Sequence, residues 1–138
     1  MSLFKRTISV LAVLSQLTLA QIASYYGDAF QGKITASGYI YDKNQMSCAS
    51  NSYPFGTVLK VTNRDNGKHV IVVVTDTGAF TKKYGRHIDL SEAAFKKLDK
   101  LGKGLLDVDI EVINSKNVFI YKHGNPVLDV NKYIRGVE

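Results

Sequence analysis

The chain has 138 residues, 45% of them hydrophobic, with 18 lysines and arginines against 12 acids and a formal net charge of +6. A single cysteine, Cys48, excludes an intramolecular disulfide and a cysteine-based metal cluster. His69, His87 and His123 show no ligand spacing, so neither a metal nor another cofactor is expected. The basic residues are scattered rather than interleaved with aromatics, which argues against nucleic acid. The positive excess fits an anionic surface or polymer, with plain solubility as the bland alternative.

In chain order, Lys5 and Arg6 precede an apolar run at residues 8–14, and Thr18-Leu19-Ala20 supplies small residues at the −3 and −1 positions. This is the pattern of a secretory signal peptide cleaved after Ala20. A membrane anchor fits less well, because Ser15, Gln16 and Thr18 interrupt the run. The remaining residues, 21–138, suit one domain with its own core. Residues 22–27 read as a strand closed by glycine, residues 28–38 as a polar loop, and Tyr39-Ile40-Tyr41 as a short strand. Residues 46–52 are small and polar. Residues 57–62 and 68–75 read as strands joined through Asn66-Gly67, a hairpin signal because both residues tolerate positive φ. Ser91 caps a helix over residues 92–101, with Ala94, Phe95, Leu98 and Leu101 on one face and Gly102 stopping it. Residues 106–113 alternate, placing Val108, Ile110 and Val112 opposite a solvated face of Asp107, Asp109 and Glu111. Residues 118–121 and 127–130 read as two further strands around a His123–Pro126 turn. Six or more short strands and one helix argue for a small β-barrel.

The chemical signal lies in residues 70–91. The run Val70-Ile71-Val72-Val73-Val74-Thr75 is too apolar for a surface strand, and it ends in Asp76-Thr77-Gly78. Asp89 sits between Ile88 and Leu90. A carboxylate tied to ordered apolar backbone is costly unless it is hydrogen-bonded or faces a cleft. Capping of a turn by Asp76 and of the following helix by Asp89 is the structural alternative.

The motifs ASYYG (23–27), TASG (35–38), PFGTVLKVTN (54–63), NGK (66–68), VTDTGAF (74–80) and GRHIDLS (85–91) follow one another in a characteristic order. In that order and spacing the chain resembles the rare lipoprotein A (RlpA) family over residues 22–113. The resemblance implies a six-stranded double-psi β-barrel, a fold shared with expansins and barwin-like proteins. It also implies a cell-wall polysaccharide as ligand and, for several members, lytic transglycosylase activity on peptidoglycan glycan strands. That chemistry needs one group to protonate the glycosidic oxygen and then deprotonate the muramic acid 6-hydroxyl, and a single partly buried carboxyl does both. Asp76 is placed for this role, with Asp89 as its partner or electrostatic stabiliser. Tyr25, Tyr26 and Tyr39 are candidates for the sugar-facing lining.

The chain departs from the transglycosylase members at two positions, with Tyr39 in place of Glu and Ser50 in place of His. His87 shares a face with Asp89 if residues 85–89 are extended; it either supplies the missing imidazole or is an exposed strand residue. Two readings follow: an exported peptidoglycan lytic transglycosylase, and a non-catalytic, expansin-like binder of peptidoglycan or another wall polysaccharide. The organisation expected is a leader (1–20), a barrel domain (21–113) and a C-terminal hairpin or tail (114–138). The protein is expected in the periplasm or outside the cell, associated with the wall, as a monomer without a membrane anchor after cleavage. N-terminal sequencing of the exported protein should begin at or next to Gln21, and a cytoplasmic product retaining Met1 would overturn the leader assignment.

Overall fold

A computed structural model describes residues 19–78, 85–116, 119 and 127–137. Six strands, β1 (Gln21–Tyr25), β2 (Ser47–Ala49), β3 (Val58–Asn63), β4 (His69–Asp76), β5 (Arg86–Leu90) and β6 (Leu106–Asn114), close into a barrel in the order β1-β5-β2-β4-β3-β6. β1–β5 and β2–β4 are parallel, while β2–β5, β3–β4, β3–β6 and β1–β6 are antiparallel. The fold is the six-stranded double-psi barrel expected. Closure leaves no unpaired sheet edge.

The valine run of β4 is apolar throughout because both of its faces are covered. Val70, Val72 and Val74 join Ala23, Cys48, Leu59, Val61, Ile88, Leu90 and Val108 in the interior. Val73 points outward, where Val58 and Val130 bury it. The interior is plugged by helix α1 (Glu92–Leu98), which brings Ala94, Phe95 and Leu98 to 0% exposure. Ser91 caps it as expected, its hydroxyl oxygen accepting from the Ala94 N–H at 3.2 Å.

α1 is shorter than the predicted 92–101. Asp99 is extended, and Gly102 lies in a separate 3₁₀ turn, Leu101–Lys103. The reason sits in the β3–β4 hairpin. Its tip is a four-residue loop closed by Asn63 N–H to Lys68 C=O at 2.8 Å, in which Gly67 has positive φ and Asn66 does not. The side-chain amides of Asn63 and Asn66 both donate to the Leu98 carbonyl, at 3.1 and 2.8 Å, and so terminate the helix there.

Other expectations are corrected. Residues 39–41 form no strand, and only an isolated Ile34–Ile40 bridge appears. β2 and β5 were not expected as strands: Ser-Cys-Ala has low strand propensity, and only pairing on both sides makes β2 a strand. The predicted strand at 127–130 is also absent. Helix α2 (Val130–Val137) follows Asp129, whose carboxylate accepts from the Lys132 N–H at 3.1 Å. Val130, Tyr133 and Ile134 recur at helical spacing and pack onto the outer face of the barrel with Val58 and Val73. The 118–121 strand and 123–126 turn, apart from Phe119, lie outside the described residues, as does the leader except Leu19 and Ala20. Asp107, Asp109 and Glu111 are exposed as expected.

Phe95→Ala removes the largest fully buried side chain and is expected to cost about 3–5 kcal/mol. Denaturant titration should show a lowered midpoint with an unchanged slope, and a loss below about 1 kcal/mol would contradict the packing described.

Candidate functional site

The site forms on the outer side of the barrel, where β1, β5, β2 and β4 lie side by side. Ala23, Ile88 and Leu90 point into the core, so their neighbours Ser24 and Asp89, which are paired in the β1–β5 register, point out. Ala49 of β2 is the register partner of Asp76 across the parallel β2–β4 ladder and of Asp89 across the antiparallel β2–β5 ladder. The two acids therefore flank β2 at the same level, about 10 Å apart at Cα, two strand spacings. A register shift between Cys48 and Ala49 brings Asp76, at the last position of β4, into this alignment.

Each carboxylate is held. Asp76 Oδ2 accepts from the Tyr26 hydroxyl at 2.6 Å, and Oδ1 accepts from the Ala36 and Thr77 N–H groups at 2.8 and 2.9 Å. These three donors fix the plane of the carboxyl. Asp89 Oδ1 accepts from the Ser24 hydroxyl and pairs with Arg86 Nη1 at 3.4 Å, while the same nitrogen donates to Ser24 Oγ at 3.2 Å.

Beneath them lies an aromatic floor. Tyr26 stacks on Tyr41 with centroids 4.3 Å apart and meets Phe30 edge-on at 5.5 Å. Burial, and then the bond to Asp76, push the Tyr26 phenol far above its ordinary range, so it remains a donor. Cys48 is wholly buried, and burial raises its thiol above the ordinary range, with Asp89 and Asp76 adding to the effect. It stays protonated and unreactive.

Beside Asp76, whose chain neighbour Thr77 lines it, an open groove of about 510 Å³ runs along Ser50, Asn51, Tyr53, Phe55, Thr77 and Phe119. Its near end is rigid. The Ser50 N–H donates to the Asp76 carbonyl at 2.9 Å, and the Asn51 amide clamps Gly78 by two bonds of 2.7 and 2.9 Å.

The expected lining residues are dispersed. Tyr26 is buried and presents its hydroxyl, not its ring face, to the site. Tyr25 turns the other way and packs on Phe95 at 4.7 Å. Tyr39 lies beside Phe119, with ring centroids 5.4 Å apart. His87 is exposed on the Asp89 side of β5, with Nδ1 accepting from the Ile22 N–H at 3.0 Å. Sequence reasoning missed Ser24 and Arg86, which contact Asp89, and Asn51 and Phe119. The Ser24 contact depends on the β1–β5 pairing, which no local pattern reveals.

Strand order and paired acids define a double-psi barrel with a carboxylate-bearing outer groove. A sequence profile of the family described as lytic transglycolase matches residues 18–110. A probable endolytic peptidoglycan transglycosylase RlpA of Treponema pallidum is 48% identical over 88 residues, 64% of this chain and 27% of that protein. The endolytic peptidoglycan transglycosylase RlpA of Campylobacter jejuni is 39% identical over 109 residues, 75% of this chain and 39% of that protein. The matched stretch thus spans well under half the length of these relatives.

Among solved structures, a Streptomyces papain inhibitor superposes with a TM-score of 0.57 at 25% identity, covering 70% of this chain and 94% of that one. An expansin variant of Clavibacter michiganensis, solved with cellohexaose, gives 0.55 at 23% identity, covering 70% and 50%; this is a likeness of fold. The chain belongs to the RlpA-like lytic transglycolase family of double-psi β-barrels.

Burial pushes the Tyr41 phenol from its ordinary 10 up to about 12. A phenol raised in the folded state adds stability that is complete below pH 10 and disappears between pH 10 and about 12. Tyrosinate absorbance should show the Tyr41 and Tyr26 phenols ionising above pH 10 and together with unfolding. A single transition of all tyrosines near pH 10 in the folded protein would contradict the buried pair.

Proposed function

We propose that the protein is an exported, wall-associated enzyme that cleaves peptidoglycan glycan strands by lytic transglycosylation. The observation that carries the reading is the common register of Asp76 and Asp89 at Ala49, on a barrel whose relatives are named peptidoglycan transglycosylases. Asp76 donates its proton to the glycosidic oxygen as the C1–O bond breaks. The resulting carboxylate then takes the proton of the muramic acid 6-hydroxyl as that oxygen bonds to C1. A 1,6-anhydro ring closes, the proton is back on Asp76, and no water is consumed. The Tyr26 hydroxyl and the Ala36 and Thr77 N–H groups hold Asp76 in position. Asp89, paired with Arg86, supplies charge opposite to the developing oxocarbenium ion.

The basic–apolar–small leader at 1–20 supports export, and residues 21–113 are the working barrel with 114–138 appended to it. The protein acts as a monomer on wall glycan, without a cofactor or a lasting membrane anchor. A second reading, a glycan-gripping barrel without cleavage, is favoured by one observation: Tyr39 and Ser50 occupy positions where the transglycosylase pattern has Glu and His. Ser50 is only 2% exposed, so its hydroxyl does not replace an imidazole in the groove.

Incubation with purified, peptide-free sacculi separates the readings. The enzyme releases 1,6-anhydromuramic products, whereas the binder sediments with sacculi and releases none. Asp76→Asn should lower release by about 100-fold or more while leaving sedimentation nearly intact. Asp89→Asn should weaken both, because an ion-paired acceptor leaves the site. Equal release by Asp76→Asn and the parent would sink the enzymatic role of Asp76.

A further inference from the structure

Phe119 lies beyond the family match, which ends at residue 110, yet it forms one wall of the groove lined by Thr77, the residue after Asp76. Its backbone N–H donates to the Phe55 carbonyl at 2.9 Å, which joins the C-terminal extension to the turn before β3. Its ring lies nearly parallel to that of Phe55, with centroids 6.4 Å apart and 27° between planes. Tyr39 and Tyr133 meet it at 71° and 89°. Tyr133 is in turn fixed by its hydroxyl donating to the Gly56 carbonyl at 2.8 Å. Phe119 is therefore a positioned ring that stays half-buried.

We propose that this ring is a sugar-stacking platform: Phe119, with Phe55 and Tyr53, forms a subsite for one neutral N-acetylhexosamine ring next to the bond at Asp76. The assignment rests on the wall-glycan reading given above and names the part of the strand that this groove grips.

Three features fix the occupant. The groove adjoins Asp76: two of its lining residues, Ser50 and Thr77, donate N–H groups to the Asp76 carbonyl and to Oδ1. The described residues that line it carry no charged side chain, which suits a neutral ring. Its walls combine aromatic carbon with the hydroxyl-bearing residues Thr77 and Tyr53, matching a pyranose with an apolar C–H face and a hydroxylated rim. About 510 Å³ lies within the range of small-ligand sites.

The test is calorimetric titration of the full chain with chitohexaose, a neutral N-acetylglucosamine oligomer, and with peptide-free glycan strands. Phe119→Leu keeps apolar bulk and removes the ring, and should weaken chitohexaose binding about five- to tenfold with an unchanged melting temperature. Phe119→Trp should retain or tighten it, and also answers for the site if Phe119→Leu is misfolded. Equal affinity of folded Phe119→Leu and parent overturns the platform and leaves the wall-glycan reading standing. Binding of strands without chitohexaose overturns the neutral-ring assignment, and a parent that binds neither glycan overturns both readings.

Discussion

Strand β2 contributes only three residues, but the pairing of its Ala49 with both acids sets the geometry of the site. Because β2 runs parallel to β4 and antiparallel to β5, the end of one ladder and the middle of the other meet at one residue. The Tyr26–Tyr41 stack packs against the Ala49 methyl group, which is 1% exposed. A larger side chain there would lift Tyr26 and break its bond to Asp76. A hydrogen bond to a charged group contributes on the order of 1.5–3 kcal/mol. The small, buried Cys48 on the opposite face fills the same role toward the core, and its protonated thiol adds no charge between the acids.

The extension after β6 changes what the barrel can present. α2 covers the outward face of β4, so a strand that would otherwise expose Val73 is buried on both sides. Its Tyr133 meets the ring of Phe119, and that ring reaches the groove. A barrel ending at β6 would have neither feature. Tyr39 then fits its surroundings as a hydrophobic neighbour of Phe119, in a position where a carboxylate would face aromatic carbon.

Much of this was legible in the sequence. The β4 run, the acids at its end and in β5, the Asn66-Gly67 turn and the Ser91 cap each carry a local signal, and the motif order carries the barrel. What was not legible depends on contacts distant in sequence. Residues 47–49 become a strand only between two partners. The end of α1 is set by Asn63 and Asn66, more than thirty residues earlier. Ser24 meets Asp89 across 65 residues. The α2 error was of a different kind, since Asp129 followed by apolar residues at spacings of three and four was present to be read. A short apolar run is ambiguous between strand and helix, and the cap should have decided it.

The two asparagines that bind the Leu98 carbonyl also make the helix dependent on the hairpin. A seven-residue helix is far below the length at which helices persist alone in water. α1 gains its C-terminal partner only when the β3–β4 loop has closed, and its apolar face gains a surface only when the strands enclose one. The helix therefore draws its stability from contacts that the hairpin and the barrel supply, not from its own length. Through these bonds the loop and the last turn of α1 hold one another, although 32 residues of chain separate Asn66 from Leu98.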